Sequence, residues 1–301
     1  MTASALPALK CKRLQEIDRL PDFTRKSATL ETAAPSPDDI AVSLDRVGHW
    51  FDGPSGRTQA LSDVNIQIKT GEFFTLLGPS GCGKTTLLNI VGGFIEAKAG
   101  DVAIFGKPVS GPGPDRGVIF QSYALFRWLS VLKNVEFALH HRKLPKAERA
   151  EVALQYLNLV GLQDFRHHYP YQLSGGMKQR VAIARALAAD PKILLMDEPF
   201  AALDSQMREV LQEELIEIWQ RTRKTVFFIT HNVDEAIFLS TRICVMSANP
   251  GRTKALLSND LPQPRADYRV RTTAAFQENK EGILALIRDE LHPNRMRGAL
   301  P

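Results

Sequence analysis

Short runs of apolar residues recur along the chain from Ile40 onward and predict β-strands. In VNIQIK, the apolar residues Val64, Ile66 and Ile68 alternate with polar ones, as in a strand with one buried face. FFTLL, which ends at Leu77, is another short run of this kind and predicts a further strand. The other predicted strands are IAVSLDRV, residues 101–105, residues 117–120, KILLMD, TVFFIT and RICVM.

Segments with helical periodicity lie between some of these strands. The amphipathic segment SQMREVLQEELIEIWQRTRK lies between KILLMD and TVFFIT, and this strand–helix–strand order predicts a mainly parallel sheet covered by helices. The expected fold class is therefore α/β. A helix is also predicted from Thr85 to Val91, a helical insertion between Val131 and about Leu187, and a last helix over residues 279–291.

The same patterns divide the chain into three parts. Residues 1–39 are punctuated by prolines and show no sustained hydrophobic period, which predicts a flexible N-terminal tail. Residues 40–250 hold most of the predicted strands and helices and are expected to form the main domain, with its helical part at about residues 122–180. Residues 251–301 are expected to form a C-terminal extension.

Composition narrows the class of protein. The 301 residues are 44% hydrophobic and 24% charged, as in an ordinary globular protein, which excludes disorder, collagen and coiled coil as descriptions of the whole chain. There is no apolar run of about 18 residues and no apolar leader near the start, so neither a membrane span nor a secretory signal is expected. The 3 cysteines show no spacing typical of disulfide or zinc frameworks, which favours a reducing, cytosolic compartment.

The net charge of +5 is compatible with several partners. Nucleic acid, an anionic membrane surface and a phosphorylated ligand all suit a basic chain. The chain has no long block of like charges of the kind that predicts a nucleic-acid-binding tail. Charge alone therefore does not choose among these partners.

The strongest chemical motif lies between a predicted strand and a predicted helix. It fits the pattern G-x-x-x-x-G-K-[ST], in which glycines let the backbone wrap a phosphate and the next helix points its N–H groups at the anion. Lys84 is expected to reach the β- and γ-phosphates, and Thr85 is expected to bind magnesium. The residues of this phosphate loop are Gly78, Pro79, Ser80, Gly81, Cys82, Gly83, Lys84, Thr85 and Thr86.

Two carboxylates follow a predicted buried strand. Asp197 and Glu198 come directly after the apolar run ILLM, at the end of a strand where open parallel sheets place their ligands. Asp197 suits a magnesium site, and Glu198 suits a base that polarises water.

A second helix start suits an anion. Ser174, Gly175 and Gly176 open the helix that contains MKQR, so a hydroxyl and two glycines stand at its N-terminus. One nucleotide does not need both helix starts from one side, which suggests that this one serves the nucleotide of a neighbouring subunit.

These motifs together resemble the ATP-binding subunits of ABC transporters. The phosphate loop matches the Walker A motif, ILLMDE the Walker B motif and LSGGMKQR the family signature. Gln121 after VIF matches the Q-loop, Asp204 after Ala-Leu the D-loop, and His231 after VFFIT the switch histidine. The six motifs occur in the family's order over roughly residues 41–250. The resemblance implies an ABC-type nucleotide-binding domain of the P-loop NTPase class, with a mainly parallel sheet, an antiparallel β subdomain and a helical subdomain.

The resemblance also implies roles for single residues. Lys84, Gln121, Glu198 and His231 would be catalytic, and Thr85, Gln121 and Asp197 would hold Mg²⁺. ATP would lie between the Walker A loop of one subunit and Ser174, Gly175 and Gly176 of the other, with Asp204 crossing the interface of a head-to-tail homodimer.

Two of the implied roles have plain alternatives in the sequence. The aromatic residue that stacks on adenine would be Phe51, or its neighbour Trp50, although burial explains an aromatic residue there equally well. His231 alone could simply end a strand before Asn232-x-x-Glu235, which has the pattern of a helix capping box.

Within the family, the chain resembles importers of the nitrate, sulfonate and taurine type. The resemblance rests on GEFFTLLGPSGCGKTTLLNIVGGF, on the segment Leu125–Trp128 after the Q-loop and on the run NPGR at residues 249–252. It implies a peripheral subunit at the cytoplasmic face of the plasma membrane, with a separate permease and, indirectly, an extracytoplasmic solute-binding protein as partners. The helical insertion would offer the permease a groove near Phe126, Trp128 and Leu129, unless these residues are simply core.

A second function class stays open at this point. A soluble ABC-type ATPase that acts on nucleic acid or ribosomes would share the same motifs. Against it, the chain has one nucleotide-binding domain, no long coiled-coil insertion and no basic tail, so nucleic acid is not an expected partner.

Overall fold

The computed structural model describes residues 39–54, 56–142, 144–261 and 267–291. The predicted N-terminal tail, up to residue 38, lies outside the described residues, and so does the end of the C-terminal extension.

The strands and helices of the described residues alternate along much of the chain. In chain order, the strands are β1 (Ile40–Gly53), β2 (Gly56–Lys69), β3 (Phe73–Leu77), β4 (Ala99–Ile104), β5 (Lys107–Pro108), β6 (Arg116–Ile119), β7 (Ile193–Asp197), β8 (Thr225–Thr230), β9 (Arg242–Met246) and β10 (Thr253–Ser258). The α-helices are α1 (Lys84–Gly92), α2 (Val131–Phe137), α3 (Lys146–Leu159), α4 (Gly175–Ala188), α5 (Ser205–Thr222), α6 (Val233–Leu239) and α7 (Ala274–Leu291).

The described residues fall into two units. The helical unit comprises residues 119–191 and 199–203, and the sheet unit comprises the rest. The helical part expected at about residues 122–180 lies inside the helical unit, which extends further because α4 continues to Ala188.

The larger sheet of the sheet unit has the strand order β10-β9-β3-β8-β7-β6. β3 pairs in parallel with both β8 and β9, and β8 pairs in parallel with β7. All residues of β3, β7 and β8 are buried, which agrees with their mainly apolar sequences. The sheet is mainly parallel, as the sequence predicts.

The smaller sheet is antiparallel and has the order β2-β1-β4-β5. β1 and β2 pair along most of their length, and in β2 the buried residues Val64, Ile66 and Ile68 alternate with exposed polar residues. The buried faces of both sheets and helix α1 share one hydrophobic core, to which Ile66, Leu87 and Phe227 belong. The antiparallel β subdomain implied by the family resemblance is thus present.

The helical unit is built from α2, α3 and α4, which pack against one another. Ser130 caps α2 by accepting a hydrogen bond from the backbone N–H of Lys133 (3.3 Å). Buried Asn134 holds the preceding loop, because its amide donates to the carbonyl oxygens of Phe126 and Leu129 at 3.1 and 3.0 Å.

The larger sheet continues into the segment that was expected to be a C-terminal extension from residue 251. β10 adds to this sheet by pairing antiparallel with β9. Helix α7 begins at Ala274, five residues before the predicted helix at residue 279, and packs against α6. The C-terminal segment is held to the sheet unit by an ion pair between Lys280 and Asp234 (2.8 Å) and by the buried side chain of Phe276. No helix of the described ranges is long and apolar enough to cross a bilayer.

The contact between α7 and the sheet unit can be tested by truncating Phe276, which is 1% exposed. Phe276→Ala is expected to lower the free energy of unfolding by about 3–5 kcal/mol, because it removes a fully buried ring and leaves a cavity. Urea denaturation followed by circular dichroism measures the change. Leu256→Ala, which truncates a partly exposed side chain of β10, is the control and should cost much less. Equal losses in the two variants would contradict the docked position of α7.

Candidate nucleotide-binding site

The phosphate loop connects the buried strand β3 to helix α1. Gly83 precedes the helix in a left-handed conformation (φ 92°), and a β-carbon there would lie 2.8 Å from the carbonyl oxygen of Ala60. Only glycine therefore fits this turn without a shift. The unpaired N–H groups and the positive end of the dipole of α1 stand at the loop, as an anion site requires.

Lys84 is held inside the loop that it follows. Its ammonium group is buried and donates hydrogen bonds to the carbonyl oxygens of Gly78 and Pro79, both at 2.8 Å. These bonds keep a positive charge at the point where the loop closes. A compact cation in such a loop is suited to phosphate.

Cys82 supports the loop by packing. Its side chain is fully buried, and burial raises the pKa of the thiol. Because the thiolate is the reactive form, a raised pKa makes this cysteine a poor nucleophile.

The Walker B aspartate meets the phosphate loop. The hydroxyl of Thr85 donates a hydrogen bond to Oδ1 of Asp197 (3.2 Å), and Asp197 is mostly buried. Burial raises the pKa of this carboxyl, and the neighbouring charge of Glu198 raises it further. A hydroxyl and a carboxylate side by side fit Mg²⁺, which takes one or two carboxylates and completes its shell with phosphate and water.

Glu198 and His231 form a pair at the ends of β7 and β8. Nδ1 of His231 lies 2.9 Å from Oε2 of Glu198, so the ring N–H donates to the carboxylate. Glu198 has a left-handed backbone (φ 43°), which is uncommon for a residue other than glycine, and its N–H donates to the carbonyl of Ile229 (3.0 Å). Strain of this kind is concentrated at functional sites.

The capping box predicted after His231 is only half formed. Asn232 accepts a hydrogen bond from the N–H of Glu235 (3.2 Å), as the pattern predicts. The carboxylate of Glu235 does not return to the backbone of Asn232. It accepts a hydrogen bond from the hydroxyl of Thr230 instead (2.6 Å).

The two candidate aromatic residues on β1 differ in their surroundings. Phe51 is 49% exposed, and the ring of buried His49 packs edge-on against it at 4.8 Å. The ring of Trp50 has Arg57 and Lys98 over it, at 4.8 and 5.4 Å from its centroid.

Gly251 contacts the phosphate loop. The sequence analysis did not predict this contact. Its N–H donates to the carbonyl of Ala60 and its carbonyl accepts from the N–H of Ser62, both at 3.0 Å. A β-carbon at Gly251 would lie 2.0 Å from the carbonyl oxygen of Cys82. The only sequence signal was the turn pattern Asn-Pro-Gly, which does not tell where the turn lies in the fold.

The remaining predicted residues divide between the two units. The phosphate loop, Asp197, Glu198 and His231 all belong to the sheet unit, where the structure brings Thr85 to Asp197 and Glu198 to His231. Asp204 also belongs to it and caps α5 by accepting from the N–H of Met207 (2.9 Å).

The signature residues belong to the helical unit, as does Gln121. Ser174 caps α4 by accepting a hydrogen bond from the N–H of Met177 (3.3 Å), and Gly175 and Gly176 form the first turn of that helix. The prediction that a hydroxyl and two glycines open a helix here is confirmed.

Comparison with known proteins agrees with this geometry. A family model described as ABC transporter matches residues 61–201. An uncharacterised ABC transporter ATP-binding protein of Methanocaldococcus jannaschii is 50% identical over 252 residues, which cover 84% of this chain and 93% of that protein.

Relatives that are named for transport roles also match. A taurine import ATP-binding protein of Pseudomonas putida is 44% identical over 250 residues, which cover 82% of this chain and 95% of that protein. A nitrate import ATP-binding protein of Synechocystis is 45% identical over 252 residues, which cover 82% of this chain and 94% of that protein.

A solved structure supports the same family. A dimeric ATP-binding cassette in a post-hydrolysis state, bound to ADP and phosphate, superposes with a TM-score of 0.65 at 35% identity, covering 72% of this chain and 98% of that one. With a P-loop α/β fold, paired Walker motifs and relatives of this similarity, the chain belongs to the ABC transporter family as an ATP-binding subunit that hydrolyses ATP.

Proposed function

We propose that this subunit drives the import of a small anion, such as nitrate, a sulfonate or taurine, through a separate membrane permease. The proposed ATP hydrolysis rests on one observation. Lys84, the Thr85–Asp197 pair and the Glu198–His231 pair lie in one unit. The proposed import is supported by the similarity to taurine and nitrate import proteins.

The chemistry of the proposed site is positioning and charge neutralisation. Lys84 and the N-terminus of α1 bind the phosphates, and Thr85 and Asp197 would hold Mg²⁺. Bound Mg²⁺ supplies positive charge that neutralises the phosphate oxygens. Glu198 orients or deprotonates the attacking water, and His231 holds the γ-phosphate.

Phe51 is the proposed adenine-stacking residue. Its half-exposed ring is fixed from one side by His49, whereas the ring of Trp50 already carries two cations. A rigid, exposed aromatic face is what base stacking requires.

The proposed active assembly is a head-to-tail homodimer. Ser174, Gly175 and Gly176 at the start of α4 would complete the ATP site of the partner subunit, and Asp204 would lie at the interface. The dimeric form of a similar cassette supports this assembly.

The proposed permease contact is an aromatic surface of the helical unit. The Trp128 side chain is 74% exposed, and Phe126 contacts both Trp128 and Phe137 with ring centroids 5.5 and 4.7 Å apart. Beside it, Leu129 lines a cleft of about 260 Å³. Exposed apolar clusters mark interaction sites, which supports a permease contact at this surface. The similarity to import ATP-binding proteins supports a position at the cytoplasmic face of the plasma membrane, with a solute-binding protein that supplies the permease.

The assignment of Glu198 as the base predicts a separation of binding from hydrolysis. Glu198→Gln is expected to bind ATP with near-native affinity, to lose about 10²–10⁴ in turnover and to accumulate as an ATP-bound dimer. Lys84→Ala should instead weaken ATP binding itself, because it removes the cation of the phosphate loop. Steady-state turnover and equilibrium binding distinguish the two variants, and unchanged turnover in Glu198→Gln would remove Glu198 from this role.

The contact of Gly251 with the phosphate loop predicts an effect on affinity. Gly251→Ala would place its methyl group against the carbonyl of Cys82 and displace the loop, so the Kd for ATP should rise about tenfold, or about 1.4 kcal/mol. Isothermal titration measures it. Gly282→Ala, in open space on α7, is the matched control and should leave the Kd unchanged. A folded Gly251→Ala protein with native affinity would refute the contact.

The transport role is tested by purification from membranes. The tagged protein, solubilised from membranes of its native host in mild detergent, is expected to bring down a multi-spanning permease. Trp128→Ala should reduce that yield with no change in basal ATPase activity. Recovery with nucleoprotein and no permease would overturn the importer proposal and favour a soluble ATPase.

A further inference from the structure

A buried carboxylate lies behind the Glu198–His231 pair and has no part in the chemistry proposed above. Glu235 is 5% exposed and lies in the first turn of α6, four residues after His231. A buried ionisable side chain is costly unless its oxygens are paired, so its partners indicate what it does.

Both oxygens of Glu235 have partners. Oε2 accepts a hydrogen bond from the hydroxyl of Thr230 (2.6 Å), and Oε1 lies 3.7 Å from Nε of Arg208. Burial raises the pKa of this carboxyl, while the Thr230 bond and the Arg208 charge oppose the rise.

The partners of Glu235 hold the residues on both sides of His231. Thr230 precedes His231, and its hydroxyl oxygen accepts a hydrogen bond from the N–H of Asn232 (2.9 Å). Asn232 follows His231 and accepts from the N–H of Glu235 (3.2 Å). The hydroxyl of Thr230 thus donates to Glu235 and accepts from Asn232. These two hydrogen bonds fix the turn that carries the imidazole of His231.

The same carboxylate connects this turn to the helix that begins at the D-loop. Arg208 lies in the first turn of α5, and its N–H donates to the carbonyl of Asp204 (3.0 Å). Glu235 therefore connects the start of α5 with the turn that carries His231.

We propose that Glu235 is a positioning residue for hydrolysis: through Thr230 it holds His231 in the orientation that pairs with Glu198. This inference rests on the proposed role of His231. It differs from a purely structural role in that the effect of Glu235 on turnover must pass through the imidazole.

The first test compares variants of the two ends of the bond. Glu235→Ala and Thr230→Val each remove the bond between these side chains and are expected to lower kcat roughly tenfold, with the KM for ATP within about twofold, because the phosphate loop is untouched. Glu235→Gln and Thr230→Ser keep an acceptor and a hydroxyl, and should restore most of kcat.

The matched control is Asp234→Ala. Asp234 precedes Glu235 on α6. Its partly exposed carboxylate forms an ion pair with Lys280. Its removal should leave kcat unchanged. Thermal unfolding of every variant shows whether the fold is kept. If Glu235→Ala does not fold, the comparison of kcat between Thr230→Val and Thr230→Ser tests the proposal instead.

The decisive test is a double-mutant cycle in single-turnover assays. In the His231→Ala background, Glu235→Ala should lower the rate by less than about twofold, since its target is gone. A full tenfold loss in that background would show that Glu235 acts independently of His231 and would overturn the inference, while leaving the proposed role of His231 intact. If His231→Ala alone keeps native turnover, the role of His231 fails first, and the inference fails with it.

Discussion

The parallel pairing of β3 with β8 and of β8 with β7 is the constraint on which the rest of the sheet unit depends. Parallel strands end at the same edge, so the residues that follow β3, β7 and β8 must lie close together. Those residues are the phosphate loop, Glu198 and His231. The chemistry is therefore assembled by backbone pairing between strands, and β3 lies more than a hundred residues before β7 and β8 in the chain. Burial of these mainly apolar strands stabilises the pairing.

Charge at this edge is kept by hydrogen bonding. Lys84, Asp197 and Glu235 are all buried, and each carries an ionisable group that water would otherwise stabilise. Carbonyl oxygens satisfy the lysine, and the hydroxyls of Thr85 and Thr230 satisfy the two acids. In a medium of low dielectric constant such bonds are strong, and an unpaired group is expensive. The site is thus rigid where phosphate charge has to be met.

The chain beyond residue 250 contributes to the same edge. Gly251 touches Cys82 in the phosphate loop, β10 extends the sheet beside β9, and α7 packs on α6, the helix that follows His231. The C-terminal segment of this subunit is therefore part of the scaffold that supports the nucleotide site.

Local pattern by itself determined the fold class and most of the chemical groups. The apolar runs predicted the buried parallel strands, the glycine pattern predicted the phosphate loop, and Ser174 was identified as a helix cap, because strand burial, tight turns and caps depend on neighbours in the sequence. Only the tertiary structure decided the rest. The short segment of β10 gave no clear strand signal, Gly251 contacts a loop far away in the chain, and Glu235 has the spacing of a capping box but accepts a hydrogen bond from Thr230. Each of these contacts depends on how segments and side chains pack in three dimensions, which no local pattern records.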